Sequence, residues 1–317
     1  MNNTLDEFRK VAEEAALVGG RVLLEHRFAP LEITHKDRQE VVTNVDMLAD
    51  TAIGDVIRHY CPDHSIISEE SGTRITSSPY TWIVDPLDGT ESYIRGQTFS
   101  SVTIALTSMA QTLIGVVYHP FNDELYSAVA GAETTVNGHP MRVTDIRSLD
   151  QARLILDYSP RDALRQHLYT MEWEREFKQM FRIGGSVALN MCLIAKGAAE
   201  GYMYGRMRNR VKSWDIAAAA LLVQNAGGRV LDRRGQPLDT HQPQGFLLCC
   251  NAVLELHTLL PDEAPPSAES LAPRWCLRDC RRVCPGIRDS GDTILAKFCG
   301  SSPGSAAPLP GSELLPD

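Results

Sequence analysis

Leu5, Phe8, Val11, Ala15, Val18 and Val22 recur at helical spacing and fall on one stripe of a helix. Thr4 followed by Glu7 reads as a capping box, so the pattern predicts an amphipathic helix over about residues 4–27, ended by Pro30. The polar stretch from Thr34 to Glu40 reads as a mobile loop. Val45, Leu48, Ala49, Ala52, Ile53, Val56 and Ile57 then give a second helix with Asp46 in its first turn. Two short β-branched runs bounded by acidic residues, Ser65 to Ser68 and Thr81 to Val84, predict buried strands. From Ser101 onward the pattern becomes one of repeated strands, at 101–106, 113–118 and 124–130, separated by turn formers such as Asn122-Asp123. An antiparallel meander follows from that reading, with a further tight turn at Asn137-Gly138.

The second half opens with a strand at 152–157. Helices at 161–179, 186–196 and 214–226 then alternate with strands at 201–204, 229–231 and 246–250. This order, helical, then strand-rich, then alternating, favours an α/β (α+β) layered sandwich over a symmetric barrel.

At 317 residues the chain is long enough for two ordinary domains or one heavily layered one. Hydrophobic residues at 43% and charged residues at 22% exclude collagen-like, coiled-coil and wholly disordered classes. A net charge of −9 argues against a reader of nucleic-acid backbones. The first residues lack the cationic and apolar segments of an export signal, and charges interrupt every apolar run before it could span a bilayer. The expectation is a cytoplasmic protein with neither a membrane nor a nucleic-acid partner.

Residues 1–260 read as a catalytic domain of two α/β halves, about 1–150 and 151–260. After Leu260 the chain becomes rich in Pro, Ser, Gly and Ala, which predicts a disordered C-terminal extension over 261–317. The eight cysteines are unevenly placed, as expected of reduced thiols. Cys276, Cys280 and Cys284 lack the spacing of a zinc knuckle.

The chemistry concentrates in Trp82-Ile83-Val84-Asp85-Pro86-Leu87-Asp88-Gly89-Thr90. An apolar strand delivers Asp85, Pro86 stops it, Asp88 follows on the same turn, and Gly89-Thr90 opens a helix. Hard divalent cations such as Mg²⁺ prefer carboxylate and carbonyl oxygens, so Asp85, Asp88 and the Leu87 carbonyl are candidate metal ligands. Gly89 and Thr90, with backbone N–H groups at a helix start, suit a phosphate beside the metals. Ser68-Glu69-Glu70-Ser71 brings further carboxylates to a strand end, and Asp215 opens a helix of small residues. An acidic surface loop and a helix cap are the plain structural readings of those two segments.

Glu69-Glu70-Ser71, the Trp82 to Thr90 run, Trp214-Asp215-Ile216-Ala217-Ala218-Ala219 and Ala226-Gly227-Gly228, in that order, resemble the inositol monophosphatase family. Val41 to Asp46 and Gly184 to Asn190 join the likeness, which spans about residues 5–260. It implies a five-layered αβαβα sandwich related to that of fructose-1,6-bisphosphatase, and a Mg²⁺-dependent, lithium-sensitive phosphomonoesterase, often a homodimer, acting on a small phosphorylated metabolite. By the same likeness, Glu70, Asp85 and the Leu87 carbonyl ligate one metal, and Asp85, Asp88 and Asp215 another, with two or three Mg²⁺ ions in all. Asp46 would hydrogen-bond the Thr90 hydroxyl, and these two with Glu70 would activate the attacking water. Gly185, Ser186 and Val187 would approach the substrate hydroxyls, although a helix cap explains them equally well. Inositol 1-phosphate or a related polyol phosphate is the expected substrate.

Tyr204 stands closest to the position where inositol-specific members carry a glutamate. The segment after it holds Arg206, Arg208, Arg210 and Lys212, of which Arg206 and Lys212 are candidate contacts to a second anionic group. That departure leaves histidinol phosphate, 3′-phosphoadenosine 5′-phosphate and fructose 1,6-bisphosphate as alternatives. A regulatory protein that binds metal or phosphate without turnover is the alternative from another class. Lys36 matches a family lysine near the metals.

Overall fold

The computed structural model describes residues 2–35, 41–158, 171, 176–205, 211–243 and 246–260. The expectations for Lys36, Arg206, Arg208, Arg210 and the segment 261–317 therefore lie outside the described residues, as does most of the helix expected at 161–179.

Helix α1 (Asn2–Glu25) is already helical ahead of the Thr4 cap and ends well before Pro30. Strand β1 (Ile33–His35) pairs antiparallel with β2 (Val41–Thr43), so Thr34 and His35 belong to a strand rather than to the expected loop. Helix α2 (Asn44–Tyr60) starts on a capping box in which Thr43 Oγ1 accepts from the Val45 N–H at 3.1 Å and Asp46 Oδ2 accepts from the Thr43 N–H at 2.9 Å. α1 and α2 pack together and bury Ala12, Ala16, Leu23, Ile53 and Ile57 against one face of a large sheet.

That sheet has eight strands in the order β10-β9-β8-β7-β6-β5-β3-β4. They are β3 (Ser65–Ser68), β4 (Gly72–Arg74), β5 (Tyr80–Asp88), β6 (Ser101–Ser108), β7 (Gln111–His119), β8 (Glu124–Val129), β9 (Thr135–Val136) and β10 (His139–Pro140). All neighbours are antiparallel except β3 and β5, which run parallel. Between β5 and β6 lies the short helix α3 (Thr90–Ile94). Strand alternation divides the side chains: Trp82, Val84, Val102, Ile104 and Leu106 face α1 and α2, while Ile83 and Ala105 face the opposite side.

On that opposite side lie α4 (Val187–Ala195) and α5 (Ser213–Asn225), both apolar nearly all round, as helices sandwiched between two sheets must be. The run of alanines in α5 has a direct cause. A Cβ on Gly115 of β7 would stand 2.4 Å from the Ala218 carbonyl oxygen, so sheet and helix backbones meet where only small residues fit.

The second sheet covers the far side of this helix layer, in the order β12-β11-β13-β15-β14. Its strands are β11 (Arg153–Tyr158), β12 (Gln179–Phe181), β13 (Gly201–Gly205), β14 (Arg229–Leu231) and β15 (Leu247–Cys250). β11 runs parallel to β12 and β13, and β15 antiparallel to β13 and β14, giving a mixed α+β architecture. Gln179 begins a strand, so the helix expected at 161–179 cannot run to its predicted end. Leu154, Leu156, Met203 and Leu248 point outward from this sheet into a further apolar layer with Met171, Phe177, Leu256 and Leu259. Cys61, Cys192, Cys249 and Cys250 are buried free thiols. No described helix is long and apolar enough to cross a membrane.

Candidate active site

Pro86 does not stop β5. The strand runs on to Asp88 across an irregularity: Asp85 pairs with Thr103 and Asp88 with Ser101, one residue more on β5 than on β6. A bulge tolerates proline, which has no N–H to give to the ladder, and re-aims the residues around it. The Leu87 N–H donates to Asp85 Oδ1 at 2.9 Å. Leu87 itself is buried, and its carbonyl oxygen lies 3.0 Å from Thr90 Oγ1.

Gly89 then takes φ +93°, where a Cβ would approach the Ser186 N atom to 2.8 Å. Glycine is required there both for the left-handed turn and for the close approach. Thr90 follows, and its Oγ1 lies 3.0 Å from Asp46 Oδ1 as well as from the Leu87 carbonyl oxygen, one hydroxyl proton serving both.

Two elements bring carboxylates to the end of β5. In the parallel pairing Ser68 stands beside Val84, and the Glu69 N–H donates to the Val84 carbonyl at 3.1 Å, so the next step places Glu69 beside Asp85. Asp215 lies in the first turn of α5, where its Oδ2 accepts the Lys212 N–H at 2.6 Å. The start of α5 is pinned to β6 by Thr103 Oγ1, which donates to the Trp214 carbonyl at 2.7 Å. Carboxylate oxygens of Glu69, Asp85 and Asp215 thereby lie within 4.8 Å of one another.

Burial raises the Asp85 carboxyl well above the usual carboxylate range, and the charges of Glu69, Asp88 and Asp215 push the same way. Asp215 is raised well above that range too, by burial and by Asp88 and Glu69. Oxygens that repel one another in a low-dielectric site are what a hard cation relieves, and an all-oxygen donor set suits Mg²⁺. The site fits the expected metal.

Asp88 is held differently. Its Oδ2 accepts from Ser186 Oγ at 2.5 Å and the Ala188 N–H at 2.8 Å, and its Oδ1 from the Val187 N–H at 3.2 Å. It thus sits on the N-terminus of α4. Burial lifts its pKa to about 6, against the lowering effect of these donors. Asp46 is likewise raised by burial and lowered by bonds from Thr43 and Thr90.

Among the described residues, the carboxylates that come together are those of Glu69, Asp85 and Asp215; Glu70, the expected ligand, is not in that group. The signal that finds it is register: pairing parity along β3 and β5 assigns Glu69, not its neighbour, to the side of Asp85. Ser186, expected to meet substrate, is completely buried and caps α4 through the Leu189 N–H at 2.8 Å. Its hydroxyl also contacts Ser101 Oγ at 2.9 Å. Gly185, where a Cβ would come 2.2 Å from the Phe99 carbonyl oxygen, packs as tightly. Val187 is buried as well, and Ser186 Oγ with the Val187 and Ala188 N–H groups of this segment holds Asp88. Lys212 is exposed, and its charge draws the Asp215 carboxyl down.

Residues 4–261 match the family model described as the inositol monophosphatase family. Its members are typically Mg²⁺-dependent phosphatases. A fructose-1,6-bisphosphatase/inositol-1-monophosphatase of Aquifex aeolicus is 33% identical over 71% of this chain and 85% of its own length. The Nus factor SuhB of Pasteurella multocida is 36% identical over the same shares. The solved inositol monophosphatase of Anabaena superposes with a TM-score of 0.69 at 28% identity, over 84% of this chain and 99% of its own. The family match, the shared fold and the converging acids agree: this chain belongs to the inositol monophosphatase family.

Proposed function

We propose that this chain hydrolyses a small phosphate monoester with the help of Mg²⁺, inositol 1-phosphate or a related polyol phosphate being the substrate, and water the nucleophile. The observation that carries the reading is the convergence of Glu69, Asp85 and Asp215 beside the Thr90–Asp46 hydrogen bond.

Glu69, Asp85 and Asp215 would hold one cation. Asp88 and the Leu87 carbonyl would offer donors to a further cation, for a complement of two or three ions. When bound, Mg²⁺ neutralises phosphate charge and lowers the pKa of water. The backbone of Gly89 and Thr90 receives the phosphate oxygens. Thr90 Oγ1 gives its proton to Asp46 Oδ1 while accepting one from the attacking water, and burial makes Asp46 a better proton acceptor than an exposed aspartate. Asp88, fixed on the α4 N-terminus, keeps its place while charge develops on the leaving oxygen.

The test is a phosphate-release panel of inositol 1-phosphate, fructose 1,6-bisphosphate, histidinol phosphate and 3′-phosphoadenosine 5′-phosphate, each with and without Mg²⁺. Inositol 1-phosphate is expected to lead, with no release after chelation. A rival turned over about tenfold faster takes its place as substrate. The double name of the Aquifex relative makes fructose 1,6-bisphosphate the first rival. Failure of every compound, with Mg²⁺ binding intact, would favour a regulatory binding role, a reading supported by relatives named as Nus factors.

A further inference from the structure

Asp46, Asp50, Ile53 and Ile57 form one buried stripe down α2. The last two continue the apolar core against the sheet, and an apolar residue at position 50 would do the same. Instead Asp50 is only 7% exposed and accepts a short hydrogen bond from the Ser68 hydroxyl, itself 3% exposed. A buried carboxylate is costly unless hydrogen-bonded, so this acid and this serine depend on each other.

Their placement gives the pair a task. Ser68 is the last residue of β3 and directly precedes Glu69, whose backbone enters the turn toward β4. On one side this strand end is held by β5, through the bond from the Glu69 N–H to the Val84 carbonyl. On the other side lies only β4, three residues long and exposed throughout. The bond from Ser68 to Asp50 adds a third restraint, from the helix beneath.

Four residues apart, Asp46 and Asp50 are neighbours on one helix face. Asp46 ties that face to Thr90 beyond β5, and Asp50 ties it to the end of β3. We infer that Asp50 and Ser68 are positioning residues: α2 acts as one bracket that sets the Glu69 carboxylate against Asp85 and Asp215 while holding the Thr90–Asp46 pair in register with it. This rests on the proposed reading of Glu69 as a metal ligand.

The test is Ser68→Ala, assayed for Mg²⁺ half-saturation, for kcat at saturating Mg²⁺ and for thermal melting in EDTA. Loss of an outer-shell partner typically weakens metal affinity 10- to 100-fold, and because this pair acts through the backbone a rise of about tenfold is expected, with kcat within about twofold. Ser68→Cys keeps the volume and offers only a weak donor, so it carries the test should the alanine variant not fold. Asp50→Asn retains an acceptor for Ser68 and is expected to lie between wild type and Ser68→Ala. Lower melting in the serine variants with Mg²⁺ half-saturation unchanged would overturn the inference, leaving the pair a part of the core alone. Absence of Mg²⁺ uptake by the wild-type protein in calorimetry would instead strike the metal-site reading itself, and the two failures are thereby told apart.

Discussion

The two groups of buried and half-buried acids around β5 solve opposite problems. Asp46 and Asp88 are surrounded by donors: Thr43 and Thr90 serve the first, and Ser186 with the Val187 and Ala188 amides serves the second. Glu69, Asp85 and Asp215 bring their oxygens within 4.8 Å of one another, and Asp85 and Asp215 are raised by each other's neighbours as well as by burial. The first group is supplied with hydrogen-bond donors by the protein, whereas the second, under the proposed function, would be completed by a cation, with Asp88 also offering an oxygen toward a second ion. Acids already bonded hold geometry whatever is bound, while mutually repelling ones would give affinity for the ion.

The largest expected effect comes from exchanging one acid of each kind for its amide. Asp85→Asn removes the central charge of the repelling group. Hydrolysis should fall by about a thousandfold or more, since several kcal/mol of transition-state stabilisation go with the metal. Melting in EDTA should hold or rise, because a buried charge among like charges has been deleted. Asp46→Asn should also lose activity, but it should lower stability by about 1 to 3 kcal/mol, because one amide oxygen cannot serve every donor that the carboxylate serves. Urea unfolding without metal checks both. If the two variants shift in the same direction, the division between the groups is wrong.

Much of this contrast was legible in the sequence, and its limits are instructive. Asp85, Asp88 and Asp215 announce themselves because a strand end and a helix start can be read from periodicity. The choice between Glu69 and Glu70 needs strand register, which depends on β5, a strand well separated in sequence. Capping and ligand binding ask for the same small hydroxyl residue at Ser186, and its bond to Asp88 is legible only once Asp88 is placed on the α4 N-terminus. Pro86 misled because a proline normally ends a strand, whereas here a bulge absorbs it. The α5 alanines could be read as close packing, but their partner Gly115 lies on another element.

A smaller effect is pH dependence, which Asp88 shares with Asp85 and Asp215. Without Mg²⁺, Asp88 is raised to about 6, and Asp85 and Asp215 are raised well above the ordinary aspartate value as well. The folded state then holds protons that the unfolded chain releases near the ordinary aspartate value. The stability they contribute is complete below that value and is lost as pH rises through about 6 and beyond. For Asp88 alone the full loss approaches about 3 kcal/mol, most of it below about pH 5.5, which leaves about 1 kcal/mol, a shift of a few degrees in melting temperature, between about pH 5.5 and pH 8. Saturating Mg²⁺ should flatten this dependence, and its binding heat should vary with the ionisation enthalpy of the buffer, because ions displace protons. A melting temperature that rises with pH in EDTA would contradict the assignment of the repelling group.

Lys212 provides the finest division. Its backbone N–H holds Asp215, while its exposed side chain acts on the same carboxyl only through charge. Lys212→Met keeps the first contribution and deletes the second, so the cluster of Glu69, Asp85 and Asp215 stays in place. If the charge also draws an anionic substrate, KM for a phosphate monoester should rise about threefold with kcat nearly unchanged, the modest size following from exposure to solvent. Raising the ionic strength to about 0.5 M should bring wild type and variant together, since screening removes what the mutation removes. A fall in kcat with constant KM would instead mean that the charge acts through Asp215 on the metal site, moving Lys212 from substrate attraction to the tuning of the repelling acids.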